Sequence, residues 1–247
     1  MSAATRNRRS LARPLVVFNL VPGIHIHRWD VDEDEAKQIQ LRLAHLVVCK
    51  DDFTNVGLIG AVSIRSLDNT TIQTALCVLD LPTMKRVDSA TAAARSTFPY
   101  VTGLRAFQAG PAIIAAFDKL RTRPDLVLCD GHGFAHPRRC GLASRLGVLL
   151  DMPSVGIAEE LVYGMCNVDA LGKERGSHMP LLDPNDRTEI GAAVRTRSDV
   201  RPVYVSVGHR VSLEAAIRIA LQCTPRFRIP EPLRQARMLN NVANSRG

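Results

Sequence analysis

The stretch that decides the fold is DLVLCDGHGFAHPRRCGLA, residues 125–143. Its apolar run, residues 126–129, predicts a short buried strand. The run ends at Asp130, so a carboxylate stands at the carboxyl end of a strand, the edge where open α/β sheets bind ligands. Gly131 and Gly133 allow the backbone to turn sharply after it, because glycine tolerates positive φ.

Four further polar side chains follow within the same loop: His132, His136, Arg138 and Arg139. An acid, two imidazoles and two guanidiniums in one short loop are typical of a site that binds a metal ion or a phosphate. The simpler alternative is a capping turn between a strand and a helix, with the arginines in solvent. Composition alone leaves both interpretations open.

The resemblance to a known family rests on this loop and on motifs around it. DGHGFAHPRRCGLAS begins at Asp130, and further matching pieces are FPYVTG from Phe98, FQAGP from Phe107, PSVGIA from Pro153, PVYVSVGHRVS from Pro202 and PEPLR from Pro230. Together they span about residues 34–240 and resemble the endonuclease V family, which cuts DNA or RNA near inosine. The resemblance implies an α/β, ribonuclease H-like fold with a central mixed β-sheet flanked by helices, in one domain over residues 29–247.

Composition suggests the kind of partner and compartment. The chain has 247 residues, a formal net charge of +8 and a pI near 9.6, which favours a polyanionic partner. The six cysteines include no Cys-x-x-Cys pair and are interpreted as reduced thiols of a cytoplasmic protein. No apolar run approaches a membrane span. Residues 1–28, with four arginines and no acid among the first fourteen, are expected to form a disordered basic arm.

The periodicity of apolar residues predicts the main elements. Helices are expected over 32–48, 104–120, 141–150 and 212–223, and strands over 56–64, 75–81, 84–90, 154–158, 189–195 and 203–207. A last helix starts at Pro230 and carries Arg234 and Arg237, which we expect to pack on the sheet. Residues 161–188 are predicted to be rich in loops, because Gly, Pro and Asp punctuate them.

The segment Pro99-Tyr100-Val101-Thr102-Gly103 resembles the wedge that this family inserts into a duplex beside the lesion. An aromatic side chain on a stiff loop can fill the gap left by a flipped base. Pro99, Tyr100, Val101 and Gly103 are therefore assigned to substrate binding. The family usually has proline at Thr102, which puts the stiffness of this wedge in doubt. The alternative is a buried tyrosine whose hydroxyl is hydrogen-bonded.

The resemblance also implies a metal site that this chain lacks in part. Asp130 matches the catalytic, metal-binding aspartate of the central strand, which would hold Mg²⁺ or Mn²⁺ if the protein is active. The first-strand acid falls on Val62, or on Ser63 if the alignment shifts by one residue. Ala109 stands where the family has a glutamate, and Glu159 where it has a phosphate-binding lysine.

The remaining candidates lie in the loop and at the end of a later strand. Gly131, His132, Gly133 and His136 would shape the inosine pocket or bind phosphate, although each histidine could equally brace the loop. Arg138 and Arg139 would contact the nucleic-acid backbone or close an ion pair. His209 matches a family histidine close to the metal-bound water and is assigned to catalysis.

These substitutions support one hypothesis and leave two alternatives. The hypothesis is a monomeric, cytoplasmic protein that binds inosine-containing or distorted DNA or RNA and has lost ordinary cleavage, because parts that act as a unit are missing. The first alternative is a nuclease with a rewired metal site built from Asp130, Glu159 and Glu160. The second is a repurposed domain that binds a nucleotide or a protein.

Overall fold

The computed structural model describes residues 29–242, and the predicted basic arm lies outside them. The elements in chain order are α1 Glu33–Ala44, β1 Leu58–Ser66, β2 Thr71–Asp80, β3 Arg86–Arg95, α2 Arg105–Phe117, β4 Leu126–Asp130, α3 Leu142–Leu150, β5 Ser154–Ala158, a 3₁₀ turn Val168–Ala170, β6 His178–Leu182, β7 Glu189–Val194, β8 Val203–His209, α4 Leu213–Gln222 and α5 Glu231–Val242.

The strands form one eight-stranded sheet in the order β3-β2-β1-β4-β5-β8-β7-β6. β4 pairs in parallel with β1 on one side and with β5 on the other, and the remaining pairs are antiparallel. The carboxyl ends of β1, β4 and β5 therefore meet at one edge of the sheet. This architecture confirms the predicted mixed sheet flanked by helices.

The two faces of the sheet are covered by different helices. On β4, Leu126 and Leu128 belong to the core cluster shared with α4 and α5, whereas Val127 and Cys129 belong to the cluster shared with α2 and α3. Successive side chains of a strand point to opposite faces, so a run that is apolar throughout is the pattern of a strand buried on both sides. α1 packs outside this arrangement, in a third cluster with Phe98 and Phe107.

Two predicted helix starts are confirmed by side-chain caps. Asp32 accepts a hydrogen bond from the backbone nitrogen of Glu35 at 2.8 Å, and Ser212 accepts one from Ala215 at 3.1 Å. Each cap satisfies a backbone donor that the first turn of a helix leaves free. The acidic first turn of α1 adds charges that the helix dipole favours.

Residues 161–188 are largely loop, as predicted, but they also contain the short strand β6 at the far edge of the sheet. The structure also starts β2 at Thr71, four residues before the predicted start. β6 is an edge strand in which Leu181 is the one buried residue. Its sequence therefore lacks the alternation of apolar and polar residues that would have predicted a strand. Within residues 29–242, no helix is both long and apolar enough to cross a membrane.

Candidate functional site

The loop after β4 lies tightly against the neighbouring strands. Gly133 sits so close to β8 that a side chain there would overlap the carbonyl oxygen of Val207. Gly156 of β5 faces the backbone of the same loop, where a Cβ atom would overlap Gly131 and Gly133. The loop is anchored further by the backbone nitrogen of Gly133, which donates to Oγ of Ser206 at 2.9 Å. The glycines thus fix the position of Asp130 and of the residues that follow it.

The Asp130 carboxylate at this edge is bound by an arginine of α5. Nε of Arg237 lies 2.8 Å from Oδ2 of Asp130, and Nη2 lies 2.6 Å from Oδ1. The pair is bidentate, the geometry that matches a guanidinium to a carboxylate most closely. The side chains are 32% and 23% exposed, so the pair is only partly screened by solvent. These hydrogen bonds with Asp130 are the main reason that the pKa of Arg237 is raised.

Glu159, which follows β5, extends this pair into a chain of four charges. Its Oε1 lies 2.5 Å from Nη1 of Arg237, and its Oε2 lies 2.6 Å from Nη1 of Arg228. Arg228 also donates to the backbone oxygens of Glu159 and Pro202. Burial acts to raise the pKa of Glu159, but the hydrogen bonds and charges of the two arginines outweigh it, and the net shift is downward. We call Asp130, Arg237, Glu159 and Arg228 the ion-pair chain.

The first strand supplies no carboxylate to this edge, and the structure decides which residue stands there. β1 pairs in parallel with β4, and Val62 is level with Cys129, so Ser63 is level with Asp130. Val62 points to the α2 and α3 side, whereas both oxygens of Ser63 accept hydrogen bonds from Asn240 of α5. Of the two positions considered for the acid, Ser63 shares the face of Asp130, whereas Val62 lies on the other face.

The other substituted position, Ala109, is fully buried in the cluster of α2 and α3. Glu160 is exposed at the rim of the site. Within residues 29–242, no group of three His, Cys, Asp or Glu side chains is placed to hold a metal ion. Asp130 and Glu159 each already bind a guanidinium. The residues present do not fit the Mg²⁺ or Mn²⁺ that the resemblance implies, and the rewired site of Asp130, Glu159 and Glu160 is not assembled.

A cleft of about 510 Å³ opens over this edge, within the range of small-molecule sites. It brings together Tyr100, Val101, Gly103, Gly131, His132 and His136 with Asp130, Glu159 and Arg237. Tyr100 is 67% exposed at the rim, so the alternative of a buried tyrosine is wrong. Pro99, beside it, is also exposed. The predicted wedge therefore lies across the cleft from the ion-pair chain.

The wedge loop is held at Gly103, which has a positive φ of 79°. Its carbonyl oxygen lies 2.9 Å from Nε2 of His136, 2.9 Å from Nε2 of Gln40 and 3.4 Å from Nη2 of Arg138. Nδ1 of His136 accepts from the backbone nitrogen of Arg138 at 3.1 Å, so the ring proton is on Nε2 and donates to Gly103. Burial, followed by the charge of Arg138, lowers the pKa of His136 to about 4. His136 and Arg138 thus brace the wedge loop.

The second arginine of the loop, Arg139, points away from the cleft. Its Nη1 lies 2.5 Å from Oδ2 of Asp183, and its guanidinium lies 5.5 Å from the centre of the Phe134 ring. Asp183 is buried and also accepts a hydrogen bond from the hydroxyl of Tyr163. Of the two predicted roles, the structure therefore gives Arg139 the ion pair and separates it from the substrate-binding set.

The two remaining histidines lie in different places. His132 lines the cleft, and burial lowers its pKa, opposed by the interaction of the ring with the backbone of Glu160. His209 is not brought to the site. β8 runs antiparallel to β5, and His209 pairs with Ser154 at the start of β5, roughly 13 Å along the strand from its end. The prediction that His209 lies beside the metal position is corrected, because it belongs to the opposite edge.

Sequence reasoning missed Arg228 and Arg237 as site residues. Arg237 is 107 residues from Asp130, and a last helix with two arginines is ordinary in a basic chain. The available signal was Glu159: an acid beside a retained Asp130 brings two carboxylates together and requires a cation nearby. Of the arginines in the last helix, Arg237 faces both.

Comparison with known proteins places these features in context. A sequence model of the Endonuclease V family matches residues 41–238. Endonuclease V of Roseiflexus castenholzii is 45% identical over 210 residues, which are 85% of this chain and 92% of that protein. The motif resemblance that runs from Phe98 to Arg234 is thereby confirmed.

Solved structures agree with the sequence comparison. The crystal structure of Endonuclease V from Streptomyces avermitilis is 40% identical, with a TM-score of 0.81, and the match covers 88% of this chain and 95% of that one. Endonuclease V of Ciona intestinalis, in complex with a 24mer DNA containing an inosine followed by a ribo-adenosine, is 28% identical, with a TM-score of 0.76 and coverage of 87% and 99%.

Proposed function

Because this chain belongs to the endonuclease V family, we propose that it binds inosine-containing nucleic acid in its cleft and releases the strand uncut. The observation that carries the proposal is the bidentate pair of Arg237 with Asp130, extended to Glu159. The one retained family carboxylate is engaged by a resident guanidinium. The site keeps the shape of a nucleic-acid cleft without the charges that phosphodiester hydrolysis uses.

The loss of cleavage follows from the charges at the edge. In this family's chemistry, a divalent cation supplies the positive charge that stabilises the reacting phosphate. Here Ser63 and Ala109 offer no carboxylate, and Glu159 has a negative charge where a lysine would stabilise phosphate. Arg237 neutralises the two acids and, being held by both, cannot also activate a water.

The binding side of the proposal rests on the wedge and the glycine loop. Tyr100 is exposed on a loop that His136, Gln40 and Arg138 hold through one carbonyl oxygen. An aromatic ring placed this way can fill the space left by an extruded base, and the cleft beside it is large enough to receive that base. Gly131 and His132, which line the cleft, would form the floor of the base pocket, whereas Gly133 packs against β8 behind them. We further propose that the protein acts as a monomer in the cytoplasm, without a metal cofactor.

Fluorescence anisotropy with matched inosine and adenosine strands, of DNA and of RNA, tests the binding. We expect tighter binding of inosine, a salt-dependent affinity, and a loss of the inosine preference in Tyr100→Ala. The same mixtures, with Mg²⁺ or Mn²⁺ and with protein in excess, are then run on a denaturing gel, where no product should appear. A cleavage product formed by the wild type but not by Asp130→Ala would refute the proposal that the strand is released uncut. Equal affinity for inosine and adenosine, or tight binding of a free nucleotide alone, would refute the proposed ligand.

A further inference from the structure

An exposed aromatic residue lies beyond the cleft, in the segment that joins α4 to α5. Phe227 is 45% exposed, and the guanidinium carbon of Arg234 lies 3.6 Å from the centre of its ring. Arg234 is itself held by Glu231, with Nη1 and Oε2 2.5 Å apart. One face of the ring is thus covered by a fixed cation, and much of the remaining side chain is open to solvent.

This segment is joined to the cleft through the ion-pair chain. Arg228, the residue after Phe227, binds the Glu159 carboxylate that lines the cleft. Its Nε donates to the backbone oxygen of Arg201, and its own backbone oxygen accepts from Oγ1 of Thr196. Phe227 therefore directly precedes the residue that joins the cleft carboxylate Glu159 to the loop leading into β8.

The surface around Phe227 carries more cations than anions. Its exposed basic residues, which we call the basic rim, are Lys173, Arg175, Arg197, Arg201 and Arg226. Short contacts hold the rim together: the backbone nitrogen of Arg175 donates to Ser198, and its Nη2 donates to the carbonyl of Leu221. The acids of the same surface are Glu174, bonded to Ser198, the exposed Asp199, and Glu231, which pairs with Arg234.

We propose that Phe227 and the basic rim bind unpaired nucleotides that flank the base held in the cleft. The ring stacks on one base, and the rim neutralises the phosphates on either side of it. Aromatic rings interleaved with arginines bind single strands in this way, because every base has a π-face and every phosphate a charge. The inference rests on the proposed function and extends it to a single-stranded segment outside the cleft.

Two inosine-containing single-stranded DNAs test the inference by anisotropy: a short strand that spans only the cleft, and a long one extended on both sides. Phe227→Ala should lose between roughly fivefold and a hundredfold in affinity for the long strand, and nothing for the short one. Phe227→Trp should retain the affinity. Val87→Ala is the matched control, because Val87 is 50% exposed on β3 at the other end of the sheet.

The salt dependence separates the ring from the rim. Arg226→Ala should reduce the slope of log affinity against log salt by about 0.7 on the long strand, whereas Phe227→Ala should leave the slope unchanged. Unchanged affinity of Phe227→Ala for the long strand, or an equal loss on both strands, would overturn the inference while the inosine preference of the wild type stands. If the wild type shows no inosine preference, the proposed function fails instead, and the length dependence still reports on Phe227.

Discussion

At the carboxyl ends of β4 and β5, Asp130 and Glu159 share Arg237; at the opposite ends of these strands, Asp151 and Asp52 share Arg210. The two arginines are equally exposed, each 32%, so burial does not distinguish them. Geometry does. The contacts of Arg237 are 2.5–2.8 Å and include a bidentate pair, whereas Arg210 makes single contacts at 2.8 and 3.4 Å.

The difference in contact geometry shows that the cleft edge holds its arginine more firmly than the opposite edge does. Surface ion pairs with single, long contacts contribute little to stability, whereas a bidentate guanidinium between two carboxylates neutralises charges that would otherwise repel each other. The opposite edge carries an ordinary surface network. The cleft edge carries a side-chain cation, Arg237, between its two carboxylates.

The largest expected effect separates the two arginines by stability. Arg237→Ala leaves Asp130 and Glu159 close together without their shared cation, and we expect it to reduce the free energy of unfolding by about 2–3 kcal/mol, less than for a fully buried pair. The matched variant Arg210→Ala should cost under about 1 kcal/mol. Urea denaturation at pH 7 measures both. Equal losses in the two variants would show that the edges do not differ.

Acidification should affect the two edges through their histidines. The pKa of His136 is lowered to about 4 in the folded state, against about 6.5 when unfolded, so the unfolded chain binds the proton first as pH falls. The stability that the neutral ring contributes is present above pH 6.5 and is lost as pH falls towards 4. Between pH 7 and pH 5 the loss should be about 2 kcal/mol.

His136→Gln should flatten this part of the pH dependence, measured by urea denaturation at a series of pH values. His209→Gln at the opposite edge is the comparison, since burial and the charge of Arg210 lower the pKa of His209 as well. A pH profile that neither substitution changes would contradict the assignment of the acid sensitivity to these rings.

The smallest expected effect is that of salt on the coupling energy of the ion pairs at the two edges. A double-mutant cycle between Arg237 and Glu159 should keep a coupling energy of about 1 kcal/mol at high salt, because the contact is short and the pair is partly buried and so screened little. The cycle between Arg210 and Asp52, at 3.4 Å with a 60% exposed carboxylate, should fall to zero. Coupling that disappears at both edges would remove the distinction between them.

The sequence predicted the unit β4–loop–α3 because its signals are local. An apolar run, a terminal acid and closely spaced glycines specify a strand, a turn and the edge where ligands bind. The same holds for the start of α1, where Asp32 and an acidic first turn mark the cap. The family motifs added Tyr100, which the structure places at the rim of the cleft.

The ion-pair chain escaped prediction because its members are far apart in sequence. Which arginine of α5 reaches Asp130 depends on how the helix packs on β1 and β2, and no local pattern specifies that. Val62 and Ser63 differ by one position along β1, and a shift of one residue along a strand moves the side chain to the other face of the sheet. The sequence alone could not decide between them. His209 was misplaced for a related reason: its strand runs antiparallel to β5, a direction that periodicity does not reveal.

The most direct test of the resident cation is a calorimetric titration of Mn²⁺ into the wild type, Arg237→Asp and Arg210→Asp. Replacing Arg237 by a carboxylate would free Asp130 and place a second carboxylate beside it, while Glu159 stays bound to Arg228. Carboxylate oxygens are ligands that divalent cations prefer. We predict that neither the wild type nor Arg210→Asp binds Mn²⁺ at the cleft edge. Arg237→Asp should bind Mn²⁺, and adding Asp130→Ala to that variant should abolish the binding. Mn²⁺ binding by the wild type that is lost in Asp130→Ala would contradict the account, because Arg237 would then not exclude the metal.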